Sequence, residues 1–341
     1  MAVNPRIYYP IHALAFAQLG VSPATPTGYR AAKGVQSVGL TTNFSLEPVF
    51  QLGMLDTYEN IENLPEVELT AEKVLDGYSL LQHLATPTAT ANGLSARFND
   101  NSCMAIIAFY NTNNDCASGL PLSYVQLSGA FVSALGWNIP VDGNATESLT
   151  LSCRDKVWSY YPTGTWNFAS GTFRTTSFTP TDSPVLASGG VQRRENVLMG
   201  SGANLSRWPT DIPGVDLSGF NASGTNGFAA HIQNVTVNVN LGRTDLNELG
   251  RKGPYFRFAN FPTEVTCSIS TSITELGDYV DARQDQDNLS NETIFIAFTN
   301  GITIDLGSKN KLSSVTMDGG NTDGGVKSAT YNYTNNNYYI C

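Results

Sequence analysis

Residues 35–65, VQSVGLTTNFSLEPVFQLGMLDTYENIENLP, and residues 232–262, IQNVTVNVNLGRTDLNELGRKGPYFRFANFP, are two copies of one pattern. Laid over each other at an offset of 197 with no gap, they share Gln36/Gln233, Val38/Val235, Asn43/Asn240, Leu52-Gly53/Leu249-Gly250, Tyr58/Tyr255, Asn63/Asn260 and Pro65/Pro262. Apolar positions keep their character between the identities, as in Val35/Ile232, Leu40/Val237 and Phe44/Leu241. Two further blocks follow in the same order. Ile106-Ile107-Ala108-Phe109 matches Phe295-Ile296-Ala297-Phe298, and Glu147–Leu151 resembles Lys327–Tyr331 at an offset of 180. A chain that repeats itself must fold as two similar units, with longer connections in the first copy absorbing the difference.

The length of 341 residues suits two cores. Only 14% of residues are charged, while Tyr, Phe and Gly are common, a composition of sheets and turns. A net charge of −10 argues against a nucleic-acid grip, which needs Lys and Arg to neutralise phosphates. No apolar run reaches the length of a membrane span. The opening MAVNPRIYYPIHALAFAQLG, broken by Pro10, makes a poor signal peptide. Cys103, Cys116, Cys153, Cys267 and Cys341 form no CxxC pair and read as small hydrophobes on strands plus a terminal thiol, in a protein made in a reducing cytoplasm. Sequons such as Asn144-Ala145-Thr146 read as accidents of composition.

The chain divides into an N-terminal arm (1–33), a first β domain (34–161), a loop-rich insert (162–228) and a second β domain (229–341). Alternation predicts strands over 35–50, 125–135 and 148–153, with a hairpin through Asp142-Gly143; 65–70 reads as a short strand and the apolar run 104–109 as a buried one. Thr70 can cap a helix from Ala71 to Leu84, with Val74, Tyr78, Leu81 and Leu84 on one face. The corresponding Val265–Glu275 reads as a strand, so the helix is expected in the first copy alone. The insert, dense in Gly, Ser, Thr and Pro, reads either as a disordered linker or as an ordered arm on a binding partner, and Trp166, Phe168, Phe173, Phe178 and Trp208 favour the arm.

No catalytic constellation emerges, and no cofactor, metal or enzymatic activity is expected. His12, His83 and His231 are isolated, and no Walker loop, GxSxG elbow or strand-GxGxxG-helix unit occurs. Asp281, Asp285 and Asp287 read as a surface acidic loop. The run Asp318–Gly325 has acidic spacing unsuited to an EF-hand and reads as a hairpin tip.

Leu127–Cys153, with its PVDGNATESLTL ending and the following Arg154-Asp-Lys-Val-Trp158, and residues 293–333 together resemble the tail tube proteins of tailed bacteriophages. The resemblance covers both repeats and omits the arm and the insert. It implies antiparallel β-sandwich or barrel domains with one flanking helix, joined edge to edge into rings that stack around a DNA channel. Family rings carry six tube domains. Two domains per chain therefore imply a homotrimer with pseudo-sixfold symmetry, located in the virion tail and made in the host cytoplasm. Other tail proteins (a possible sheath, tape measure and baseplate) become the implied partners, DNA passes without specific binding, and the insert is expected between stacked rings or on the outer wall. Three readings stay open beside it: six chains per ring with the second domain outside, a baseplate hub or tail-terminator ring of the same fold, and a carbohydrate-binding or adhesin-like sandwich.

Overall fold

The computed structural model describes residues 12–18, 30–32, 34–76, 102–110, 121–160, 190–201, 204–206, 212–213, 231–250, 254–260, 262–272, 291–299, 303–318 and 328–336. In chain order the strands of the first half are β1 (His12–Gln18), β2 (Arg30–Ala31), β3 (Val35–Asn43), β4 (Leu46–Phe50), β5 (Thr57–Glu62), β6 (Glu66–Val74), β7 (Cys103–Phe109), β8 (Ser123–Pro140), β9 (Thr146–Cys153) and β10 (Asp155–Tyr160). The second half supplies β11 (Val197–Ser201), β12 (Asn204–Ser206), β13 (Ile232–Asn240), β14 (Arg243–Leu246), β15 (Phe256–Ala259), β16 (Glu264–Ser272), β17 (Phe295–Phe298), β18 (Thr303–Asp305), β19 (Lys311–Asp318) and β20 (Ser328–Asn335). All the pairings are antiparallel, and the fold is mainly β, as the composition and the resemblance imply.

Eight strands run edge to edge in the order β3-β6-β9-β8-β13-β16-β20-β19. The first four belong to one copy and the last four to the other, and the halves meet at β8 and β13. The first part of β8 leaves this run to lie between β7 and β10, with β1 and β2 beyond β7. Gly129, at a φ of 57°, marks the corner, where a Cβ would sit 3.0 Å from the Cβ of Arg154. A strand that changes sheets at a bend lets one layer fold over the other. Alternation then fills the space between with Leu69, Ala71, Leu127, Leu149, Leu151, Ala105 and Ile107. A smaller sheet, β12-β11-β17-β18, contributes Met199, Ile296, Phe298 and Ile304 to the buried cluster.

The two halves agree down to their irregularities. β3 and β13 both bulge at their start, between Val35/Ser37 and Ile232/Asn234. Gln36 donates to Gly34 O as Gln233 donates to His231 O, and Gly34 and His231 both take positive φ, 73° and 45°. β8 and β19 bulge between Val132/Ala134 and Leu312/Ser314; in each the bulged serine, Ser133 or Ser313, donates to a backbone carbonyl of the neighbouring strand. β1 occupies on β7 the place that β11 occupies on β17, so a segment of residues 162–228 is paired into the second half. In the third sequence block the ladders move the match by two positions: Leu151 faces Leu69, Tyr333 faces Cys267, and so Leu151 corresponds to Tyr333.

One expectation is overturned over its described part. Residues 71–74, assigned to a helix from Ala71 to Leu84, are the end of strand β6. Thr70 caps nothing: it lies mid-strand, with Gly39 on one side and Thr150 on the other. Ala71, Glu72 and Lys73 are good helix formers, but Val67, Leu69, Ala71 and Lys73 point alternately inward, and two flanking ladders override local propensity. β16 is the same strand in the second half, so over these residues the copies do not differ as expected. Residues 77–84 lie outside the described residues.

Candidate functional site

The eight-stranded run has two faces of different chemistry. Its inner face is apolar: Leu69, Leu149, Leu135, Trp137, Val237, Cys267 and Tyr331 are buried. Its outer face alternates with these and is made almost wholly of small hydroxyl and amide side chains. β9 presents Thr146, Ser148, Thr150 and Ser152, and β13 presents Asn234, Thr236, Asn238 and Asn240. Among the described side chains of these strands the charged ones on it are Glu66, Glu68, Glu72 and Glu264, against one amine, Lys311. The one aromatic ring at this face among the described residues of these strands is Phe131, opposite Ser152 at its margin, and it is buried beneath the Arg243 guanidinium.

These groups satisfy one another across the strands. Ser268 Oγ donates to Asn332 Oδ1 at 2.8 Å, Asn332 Nδ2 donates to Ser314 Oγ at 3.0 Å, and Ser270 and Thr330 share a hydroxyl bond of 3.1 Å. At the join between halves Thr236 Oγ1 donates to Asn138 Oδ1 at 3.4 Å. Such cross-strand pairs stiffen a sheet and leave few donors over for a ligand. At the same join Ala134 and Gly136 leave a shallow groove, bordered by Ser148, Thr150, Asn238 and Asn240.

Beneath the first half lies a buried charged cluster. Lys73 Nζ is 2.8 Å from Asp76 Oδ1, and its cross-strand neighbour Glu147 is also buried. The corresponding pair in the second half is Thr271 and Ala329, where the threonine hydroxyl donates to the Ala329 carbonyl at 3.3 Å. Gln192, fully buried, ties residues 190–193 to this region: its N–H donates to Leu75 O, and its carbonyl accepts from Ala145 N.

His12 and His231 lie on different parts of the fold. His12 sits on β1 with its ring edge-on to Phe109 at 4.9 Å, and partial burial lowers its pKa. His231 opens β13. His83, and the cluster Asp281, Asp285 and Asp287, lie outside the described residues. Cys103, Cys153 and Cys267 are buried free thiols on strands; burial pushes Cys153 and Cys267 up to about 12 and raises Cys103 as well. Among the described residues no three His, Cys, Asp or Glu side chains gather as a metal site, and no helix is long and apolar enough to cross a membrane. The outer face was open to discovery in the sequence, since its signal is the run of Ser, Thr, Asn and Glu at alternate positions of successive strands. Judging each residue by its catalytic potential passes over it.

No family model matches the chain, and no curated protein matches it. Among solved structures it is similar to a chain of the anti-feeding prophage baseplate (six-fold symmetrised), with 12% identity and a TM-score of 0.32 over 46% of this chain and 98% of that one. It is also similar to the cap that terminates the anti-feeding prophage tube, with 13% identity and a TM-score of 0.34 over 47% of this chain and 95% of that one.

Proposed function

We propose that this protein is a structural component of a phage tail, assembling through its sheet edges into rings whose inner wall is the polar face of the eight-stranded run. The observation that carries the reading is the chemistry of that face: among its described side chains stand four carboxylates and one amine, the Arg243 guanidinium lies over Phe131 at its margin, and the rest is chiefly small neutral hydroxyls and amides. Duplex DNA carries about one negative charge per 1.7 Å, and proteins hold it by replacing its counterions with Lys and Arg. Single strands are held by stacking on aromatic rings. This face offers neither grip, which suits a wall that DNA must slide past. The glycan-binding alternative asks for exposed aromatic rings on such a surface, and the one ring at the described face, Phe131, is buried under Arg243.

The ring holds three chains, each giving two four-stranded units, and rings stack into a tube. A baseplate hub or a tail-terminator ring would use the same geometry, and copy number per particle separates them, being high only for a tube. Electron microscopy of the purified protein is expected to show rings or tubes with an open centre, and duplex DNA is expected to bind only weakly at low salt. Tight, salt-sensitive retention of DNA by the wild-type protein, or a protein that stays monomeric at all concentrations, contradicts the proposal. Thr150→Lys with Ser268→Lys should introduce salt-sensitive DNA binding without unfolding the chain, because both side chains stand on the outer face.

A further inference from the structure

Among the described residues, β3 pairs only with β6, and β19 only with β20, so the eight-stranded run ends in two open edges. The chain itself shows what such edges join to. β3 corresponds to β13, and β19 corresponds to the second part of β8, each bulge for bulge. Within the chain β13 and β8 are paired: Asn240 faces Ala134, Asn238 faces Gly136, Val237 faces Trp137, and Leu241 N–H donates to Ser133 O at 2.9 Å.

Side chains at matching places differ in the way a missing neighbour requires. Leu241 is 1% exposed at the join, whereas its counterpart Phe44 is 70% exposed beside the open edge. Trp137 is 2% exposed, while its counterpart Met317 is 45% exposed. The hairpins repeat the contrast. Hairpin β14–β15 rests on the other half, with Arg243 Nε donating to Val132 O at 2.8 Å and its guanidinium 5.3 Å over the ring of Phe131. Hairpin β4–β5 has no such support among the described residues and leaves Leu46, Phe50, Met54 and Leu55 exposed, while the matching tip leucines Leu52 and Leu249 are exposed alike. Open edges with apolar flanks are an aggregation hazard unless a specific strand covers them.

We infer that the cover is a second copy of this chain: β19 of one copy adds to β3 of the next in the register that β8 and β13 hold within the chain. The inference rests on the ring reading for its closure and not for the pairing itself. Carrying the internal register across sets Ser314 opposite Asn43 and Thr316 opposite Thr41 on the polar face, with Met317 opposite Leu40 on the core side. The polar wall then runs unbroken from copy to copy, and hairpin β4–β5 lies against its neighbour as β14–β15 lies against β8.

The test is a cross-link at the expected register. In a chain carrying Ser314→Cys and Asn43→Cys, mild oxidation should give covalent oligomers, while Ser314→Cys with Ser37→Cys should give no more than the parent protein. Within one chain the two positions sit on opposite edges of eight strands, seven steps of about 4.8 Å apart, so any bond must join two copies. Assembled particles that fail to cross-link, equal cross-linking of the shifted pair, or a protein that neither assembles nor cross-links would overturn the register. Rings that form without this bond leave the tail reading standing, and cross-linked oligomers that build no ring uphold the pairing and remove that reading.

Discussion

Leu241 and Phe44 occupy the same position in two copies of one unit, yet the first is buried at the join between the halves and the second faces solvent. The strands around them share the ladder to β16 or β6, the bulge and a positive-φ position at the entrance. What differs is only the neighbour. One copy has the other half of its own chain beside it, and the second copy must find its neighbour elsewhere. Duplication followed by fusion turns one intermolecular edge into an intramolecular one, where it becomes part of the folding core, while the remaining edge keeps the sequence character of an interface.

The largest way to sharpen this contrast is a charge at each site. Leu241→Asp places an unpaired carboxylate in the join, and a loss of more than about 4 kcal/mol is expected in urea unfolding. Phe44→Asp should change the stability of the isolated chain by less than about 0.5 kcal/mol, yet abolish assembly in sedimentation runs. Equal damage to folding at both sites would break the comparison. Truncation gives the next effect. Trp137→Ala is expected to cost about 3–5 kcal/mol, against about 0.5 kcal/mol or less for Met317→Ala measured on unassembled chain.

The halves also differ beneath the sheet, where one holds charges and the other does not. Lys73→Ala strips Asp76 of its partner beside the buried Glu147, and a loss of about 3–5 kcal/mol is expected. Thr271→Val, at the matching place, should cost only about 1 kcal/mol, the worth of one hydrogen bond. The smallest effect concerns the strand entrances. His231 holds a φ of 45°, which glycine adopts more readily, so His231→Gly should leave the thermal midpoint unchanged or raise it by up to about 1 kcal/mol equivalent. Gly34→Ala should lower it, because its Cβ would meet Asp76 Oδ2 at 2.7 Å as well as the unfavourable φ of 73°.

Much of this was legible in the sequence, and the gaps have physical causes. The matching stretches located β3 and β13, alternation located β8 and β9, and an unbroken apolar run located β7, because burial on one face or on both writes itself directly into residue type. Asp142-Gly143 marked the β8–β9 turn, where Gly143 takes a φ of 106°. The strand end over 71–74 was hidden because Ala, Glu and Lys prefer helices when no ladder competes for them. The two-position shift between β9 and β20 was hidden for a different reason: Thr and Ser recur at every second place, so several registers look alike until the partner strand chooses one. The polar face itself was present in those same Thr, Ser and Asn positions. It gained meaning only once eight strands were seen to share one plane.

The central claim is that two tandem units per chain close a ring through repeats of one edge contact, and counting chains in that ring tests it most directly. Mass measurement of single rings, or a reconstruction of assembled particles without imposed symmetry, should give three chains, with strong threefold and only approximate sixfold density. In such a map β19 of each chain should lie beside β3 of the next. Six chains per ring, with the second half of each chain outside the wall, would contradict the account.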